Sequence, residues 1–184
     1  MDNSEQLRMT VYASLLAALT AAGAYLIIPI GPVPISLQTL FVYLTGLLLG
    51  SRWGSASVAV YLLAGACGLP VFAGGTGGIG RLAGPTGGYL FGYLAGVFVI
   101  GLITEKAKRR WIIDVVAMTV GTLIIYVAGV AWLKTVTGMT FNKAVTLGML
   151  PFLVGDSLKI LAAIAIARAV RPLLHLRQVS VETR

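Results

Sequence analysis
The chain has 184 residues, 58% hydrophobic and only 11% charged, with a mean hydropathy of +0.92, whereas soluble domains carry about 25% charged residues. Repeated apolar stretches of about 20 residues exclude a water-soluble domain, and the length accommodates roughly six helical spans with short connections, read as one integral-membrane domain over 1–184. The net charge of +8 does not point to nucleic acid, because the basic residues flank apolar segments, where topology and contact with anionic membrane lipid explain them.

Span one is predicted over 9–28. It is too long for a signal h-region and has no convincing cleavage sequence, so it is kept as a mature span. Within it Ala13, Ala17 and Ala21 recur every four residues, and Ser14, Ala18 and Ala22 repeat the spacing one position on. Such rows make a flat face for close approach of another helix, either inside the bundle or on a partner. The span stops in Pro29-Ile-Gly-Pro-Val-Pro34, where three prolines in six residues cannot continue a helix.

Spans two and three are predicted over 37–50 and 55–66 with a break at Ser51-Arg-Trp-Gly54; both are short, which implies tilt or cover by neighbouring helices. The stretch from Gly68 to Gly92 holds ten glycines in 25 residues, too many for a helix in which each Gly costs about 1 kcal/mol against Ala. It is predicted as an ordered or re-entrant loop between spans three and four, since Pro70, Phe72, Pro85 and Tyr89 argue against a flexible linker. Span four is predicted over 87–104, span five over 111–133 and span six over 147–170, giving an all-α membrane protein with a six-helix bundle.

The loop contains Gly75-Thr-Gly77-Gly-Ile-Gly80, a formal match to the dinucleotide pattern. No strand precedes it and no acid lies about 20 positions on, so the match is rejected. No Gly-Lys-Ser/Thr of a Walker A loop occurs either, and the chain is not expected to hydrolyse ATP by that route. His175 is the single histidine and lies in the basic tail, while Cys67 is the single cysteine and reads as packing. No catalytic residue, metal site or cofactor is assigned, and an enzyme is not expected. What glycine does supply is backbone that can approach a ligand closely, and irregular backbone at membrane depth is tolerated where it lines a cavity.

Positive charge orients the spans. One side collects ten cations, Arg8, Arg52, Lys106, Lys108, Arg109, Arg110, Arg168, Arg171, Arg177 and Arg184, and the other only Arg81, Lys134 and Lys143. Both termini are therefore predicted cytoplasmic in the plasma membrane of a prokaryote, with the Pro-rich turn and the glycine loop outside. Asp156 and Lys159 lie inside span six, in its outer half. Each lone charge in a bilayer costs roughly 2.5 to 3.5 kcal/mol on insertion scales, so the pair needs a reason. Three residues apart, the two share a helix face. They are either a self-neutralising salt bridge or the floor of a site for a ligand carrying N–H together with carbonyl or carboxylate groups.

Four segments carry a family resemblance: Pro32-Val-Pro34 followed by Leu37-Gln38-Thr39; Gly68-Leu-Pro-Val-Phe-Ala73 with the glycines after it; Gly84-Pro-Thr-Gly-Gly-Tyr89; and Gly155-Asp156 with Lys159. On these the chain resembles the BioY proteins, the biotin-binding membrane (S) components of energy-coupling factor transporters. The resemblance implies a six-helix fold, capture of biotin from outside, and association through an Ala-rich first helix with a transmembrane coupling protein bound to two cytoplasmic ATPases. It places the docking surface on Ala13, Ala17 and Ala21. It also implies that Asp156 accepts a ureido N–H and that Lys159 donates to the ureido carbonyl or to the tail carboxylate. Arg81 is an alternative carboxylate partner, Phe72, Tyr89 and the backbone around Gly74 and Gly75 enclose the ring, and Gln38 adds a hydrogen bond. A stand-alone carrier and an S component for another small vitamin are the competing expectations.

Overall fold
The computed structural model describes the backbone of residues 3–106 and 111–182, with side chains through 172. Lys108, Arg109, Arg110 and Arg184 of the cation tally lie outside the described residues, and His175 and Arg177 lie where side chains are not described. The elements in chain order are α1 (Asn3–Gly23), β1 (Ile27–Ile28), β2 (Ile35–Ser36), α2 (Gln38–Ala66), α3 (Ile79–Ala83), α4 (Gly87–Lys106), α5 (Trp111–Thr137), α6 (Phe141–Gly148) and α7 (Phe152–Glu182).

Span one ends five residues earlier than predicted, at Gly23, because the following segment has another use. Ile27 and Ile28 pair antiparallel with Ser36 and Ile35, so the Pro-rich turn becomes the tip of a two-stranded ribbon. The ribbon returns the chain to the start of α2, where Leu37 N–H donates to the Gly23 and Leu26 carbonyls.

The predicted break at Ser51–Gly54 contracts to one residue. Gly50 has φ 77° and ψ −168° inside an otherwise continuous run of helical turns, a conformation that favours glycine. The chain reverses there. Gln38 and Tyr61 are hydrogen-bonded through their side chains, yet 23 residues of straight helix would hold them about 35 Å apart. The limbs 38–49 and 51–66 are thus an antiparallel hairpin. Glu105 closes its tip: Oε1 accepts the Ser51 N–H and Oε2 the Ser51 hydroxyl, each at 2.8 Å. A Cβ on Gly50 would sit 1.9 Å from Glu105 Oε1.

By length and hydropathy, three described helices qualify as membrane spans (α2, α4 and α5), or four if the bent α6–α7 pair counts as one. The reversal at Gly50 divides α2 into two passes, and α1 packs along it through Ala13, Leu16 and Leu49, so six passes alternate in direction. At one end Arg171 on α7 meets Asp114 on α5. At the other, the Tyr89 hydroxyl on α4 donates to the Gly148 carbonyl, and Trp132 Nε1 on α5 donates to the Gly84 carbonyl. The start of α1 and the turns of α7 around Arg171 therefore share the Asp114–Arg171 end.

Span six was expected from 147, but α7 begins at Phe152, and residues 141–148 form the separate helix α6, inclined to it by 42°. Pro151 sits at the break, a position from which proline starts a helix but cannot continue the preceding one. Asp156 is thereby only about 6 Å along its helix.

On α1, Ala13 and Ala17 are each 7% exposed and packed inward, and the Ala13 carbonyl accepts the Ser57 hydroxyl at 2.7 Å. The row that α1 presents outward is the second one, Ser14, Ala18 and Ala22.

Candidate functional site
The ribbon, the glycine loop and the turns of α2, α4, α5 and α7 at the end away from Arg171 surround one cavity, open at its mouth, with about 550 Å³ of empty space when the open mouth is included. Its walls are apolar and aromatic, with Phe72, Tyr89, Leu90 and Phe152 among them. Polar groups gather on one side: Ser36, Gln38, Thr39, Tyr126, Asp156 and Lys159.

Asp156 and Lys159 are 4% and 7% exposed, with Lys159 Nζ 2.8 Å from Asp156 Oδ1. The pair is not closed on itself. The Tyr126 hydroxyl donates to Asp156 Oδ2 at 2.6 Å, and Lys159 donates to Thr39 Oγ1 at 3.2 Å. Burial at this depth is tolerable because each charge has its counter-ion and a neutral partner. Gln38 is oriented by two neighbours, accepting from the Ser36 hydroxyl at 2.9 Å through Oε1 and donating to the Tyr61 hydroxyl through Nε2. One N–H and one lone pair of that amide stay available.

The glycine loop contributes Phe72 and Ala73 to the cavity wall. It turns back through Ala73-Gly74-Gly75, with φ of 76° and 70° at the two glycines, and the turn is closed by the Phe72 N–H on the Thr76 carbonyl at 2.8 Å. The Gly74 N–H donates to the Ala24 carbonyl at 3.0 Å, and the Tyr25 hydroxyl donates to the Pro70 carbonyl at 2.5 Å, so loop and ribbon are joined into one cover. Phe72 is fully buried and packs edge-on against Tyr61 at 5.6 Å between centroids. A Cβ on Gly65 would lie 2.1 Å from the Phe72 ring. Gly65→Ala is therefore expected to cost about 1–3 kcal/mol by overpacking, measured as a lowered thermal midpoint in detergent.

Of the residues singled out from the sequence, Asp156, Lys159, Gln38, Phe72 and Tyr89 line the cavity, and Gly74, Gly75 and Arg81 do not. The N–H groups of Gly74 and Gly75 are used by the Ala24 and Phe72 carbonyls. Arg81, on α3, donates to the Ala73 carbonyl at 3.3 Å and braces the loop from behind. Sequence reasoning missed Ser36, Thr86, Tyr93 and Tyr126. For Tyr126 a signal existed: a phenol inside an apolar span requires an acceptor. Nothing local showed which acceptor.

Residues 1–176 match the model of the BioY family. The chain is 42% identical over 167 residues to the biotin transporter BioY of Thermotoga maritima, covering 91% of this chain and 98% of that protein. It is 44% identical over 154 residues to a probable biotin transporter BioY of Pyrococcus horikoshii, covering 84% and 90% respectively. Its fold is similar to the crystal structure of the S-component for biotin from an ECF-type ABC transporter, with a TM-score of 0.88 and 30% identity over 94% of this chain and 95% of that one. An apolar six-pass bundle with a buried ion pair beneath a glycine-loop cover, matched along nearly its whole length in sequence and in fold, belongs to the BioY family.

Proposed function
We propose that the cavity binds biotin and that the chain serves biotin uptake as the substrate-specific S component of an energy-coupling factor transporter, working with a transmembrane coupling protein and ATPase subunits. It is a membrane transport protein, not an enzyme. The observation that carries the ligand reading is the Asp156–Lys159 pair, tied to Tyr126 and Thr39 and facing an apolar, aromatic cavity. Biotin's ureido group offers two N–H donors and one carbonyl acceptor, which suit a carboxylate with free acceptor positions and an ammonium with a third proton. Its thioether ring and aliphatic chain suit Phe72, Tyr89 and Leu90. Arg81 lies outside the cavity lining and gives one of its five N–H groups to the Ala73 carbonyl.

Calorimetric titration of purified protein with biotin, desthiobiotin, thiamine and riboflavin tests the ligand. Nanomolar to submicromolar biotin binding is expected; micromolar or weaker biotin binding beside tight binding of another vitamin overturns it. Biotin accumulation by proteoliposomes holding this chain alone would favour a stand-alone carrier.

Sidedness follows from charge. Arg8, Arg52, Lys106, Arg168 and Arg171 belong to the end opposite the cavity, which the positive-inside rule makes cytoplasmic in a prokaryotic plasma membrane. The cavity then opens outward and both termini face the cytoplasm. On α1 the partner surface is assigned to the exposed row, Ser14, Ala18 and Ala22, since Ala13 and Ala17 are spent on packing within the bundle. Ala18→Trp is expected to abolish uptake in cells carrying the coupling module while leaving biotin binding in detergent unchanged. Ala17→Trp is expected to lower the thermal midpoint and binding together.

A further inference from the structure
Asp156 has more hydrogen-bonding capacity than α7 can fill. An ionised carboxylate offers about four acceptor positions, of which Lys159 takes one on Oδ1 and Tyr126 one on Oδ2. With Lys159 as its sole partner, the carboxylate would rotate until the ammonium sat between both oxygens. That arrangement is the closed salt bridge, and a ligand would have to break it before binding.

Tyr126 opposes that rotation from a different helix. Its ring is 5% exposed on α5, and its hydroxyl, 2.6 Å from Oδ2, pulls that oxygen away from Lys159. Thr39 at the start of α2 accepts a second bond from the ammonium, at 3.2 Å. The row Thr39, Lys159, Asp156, Tyr126 therefore spans three helices along the same cavity wall. A tyrosine suits this task because two side-chain torsions, both fixed by packing, place one donor accurately.

We propose that Tyr126 is the positioning residue of the ligand site: by holding Oδ2 it keeps the Asp156 carboxylate open, so that its remaining acceptor positions meet N–H groups of the ligand instead of closing on Lys159. The proposal rests on the reading of the cavity as a biotin site and specifies how that site is kept receptive. With phenylalanine at 126 the ion pair closes and binding weakens although no ligand contact of Asp156 has been deleted.

A double-mutant cycle of wild type, Tyr126→Phe, Asp156→Asn and the double variant, titrated with biotin in detergent and melted without ligand, tests it. Tyr126→Phe is expected to weaken binding about tenfold or more, with the ligand-free thermal midpoint nearly unchanged. In the Asp156→Asn background the same substitution is expected to change affinity by less than about twofold, because the group it positions is gone. Wild-type affinity in Tyr126→Phe, or an equal loss in both backgrounds, overturns the proposal; the latter marks Tyr126 as an independent contact. A wild type that prefers another vitamin overturns the ligand reading alone, and the cycle is then judged by the same criterion with that vitamin.

Discussion
Asp156→Ala is expected to weaken biotin binding by about 2–4 kcal/mol, or roughly 30- to 1,000-fold. The lower bound is the loss of a hydrogen bond to a charged group. The upper bound adds what the substitution leaves behind: the Lys159 ammonium, 7% exposed, and the Tyr126 hydroxyl both lose their acceptor. Thr39 is then the remaining hydrogen-bond partner of Lys159 in the cavity wall, and a buried ammonium left without its counter-ion draws in water or moves. Either outcome disorders the polar side of the cavity. Titration calorimetry measures the loss directly, and the ligand-free thermal midpoint separates it from unfolding. Wild-type affinity in a folded Asp156→Ala protein would make the pair a structural salt bridge and move the ligand's polar contacts elsewhere.

The second large effect belongs to the opposite end of α7. Arg171 grips Asp114 through two parallel contacts, Nη1 to Oδ2 at 2.6 Å and Nη2 to Oδ1 at 3.0 Å, while Nη2 also donates to the Leu47 carbonyl at 3.2 Å. The Asp114 side chain is 1% exposed and that of Arg171 12%, so neither charge can rely on solvent. Breaking such a pair from one side costs about 3–5 kcal/mol, chiefly because the survivor stays buried and uncompensated. Arg171→Met alone is expected to lower the thermal midpoint sharply. Pairing it with Asp114→Leu is expected to recover most of the stability, since replacing both ions by apolar groups removes the penalty. Biotin affinity in the double variant is expected near wild type, because Asp156 and Arg171 lie about 22 Å apart along α7. A double variant no more stable than Arg171→Met would deny that the lost stability came from an uncompensated charge.

The two clusters were unequally visible beforehand. Asp156 and Lys159 stand three residues apart in an apolar run, and i to i+3 spacing joins them within one helix, so their meeting is local information. Asp114 and Arg171 are 57 residues apart; counted alone, Arg171 read as one more cytoplasmic cation, and its partner became evident only when α5 and α7 were laid antiparallel. Tyr126 was overlooked for the same reason. The glycine loop was legible as ordered backbone near a ligand, but the task of each glycine was not. Gly74 and Gly75 make the turn that presents Phe72 and Ala73 to the cavity, while their own N–H groups serve the fold.

On α1 the spacing of small residues identified two candidate faces and could not choose between them. The choice fell to packing: Ser57 and Leu49 on the hairpin cover Ala13 and its neighbours, leaving the row from Ser14 outward.

By itself the sequence determined what depends on composition and near neighbours: a membrane chain, six apolar passes, the end of the first span at the Pro-rich segment, a family likeness, and one ion pair too costly to be accidental. The tertiary structure alone decided which distant groups share a cavity, which face of α1 is exposed, and that Tyr126 on α5 donates to Asp156 on α7. Those outcomes depend on the rotation and register of helices far apart in the chain. Hydrophobic patterning in a bilayer leaves these nearly free, because lipid and helix neighbours are almost equally apolar, and small-residue contacts and polar pairs settle them.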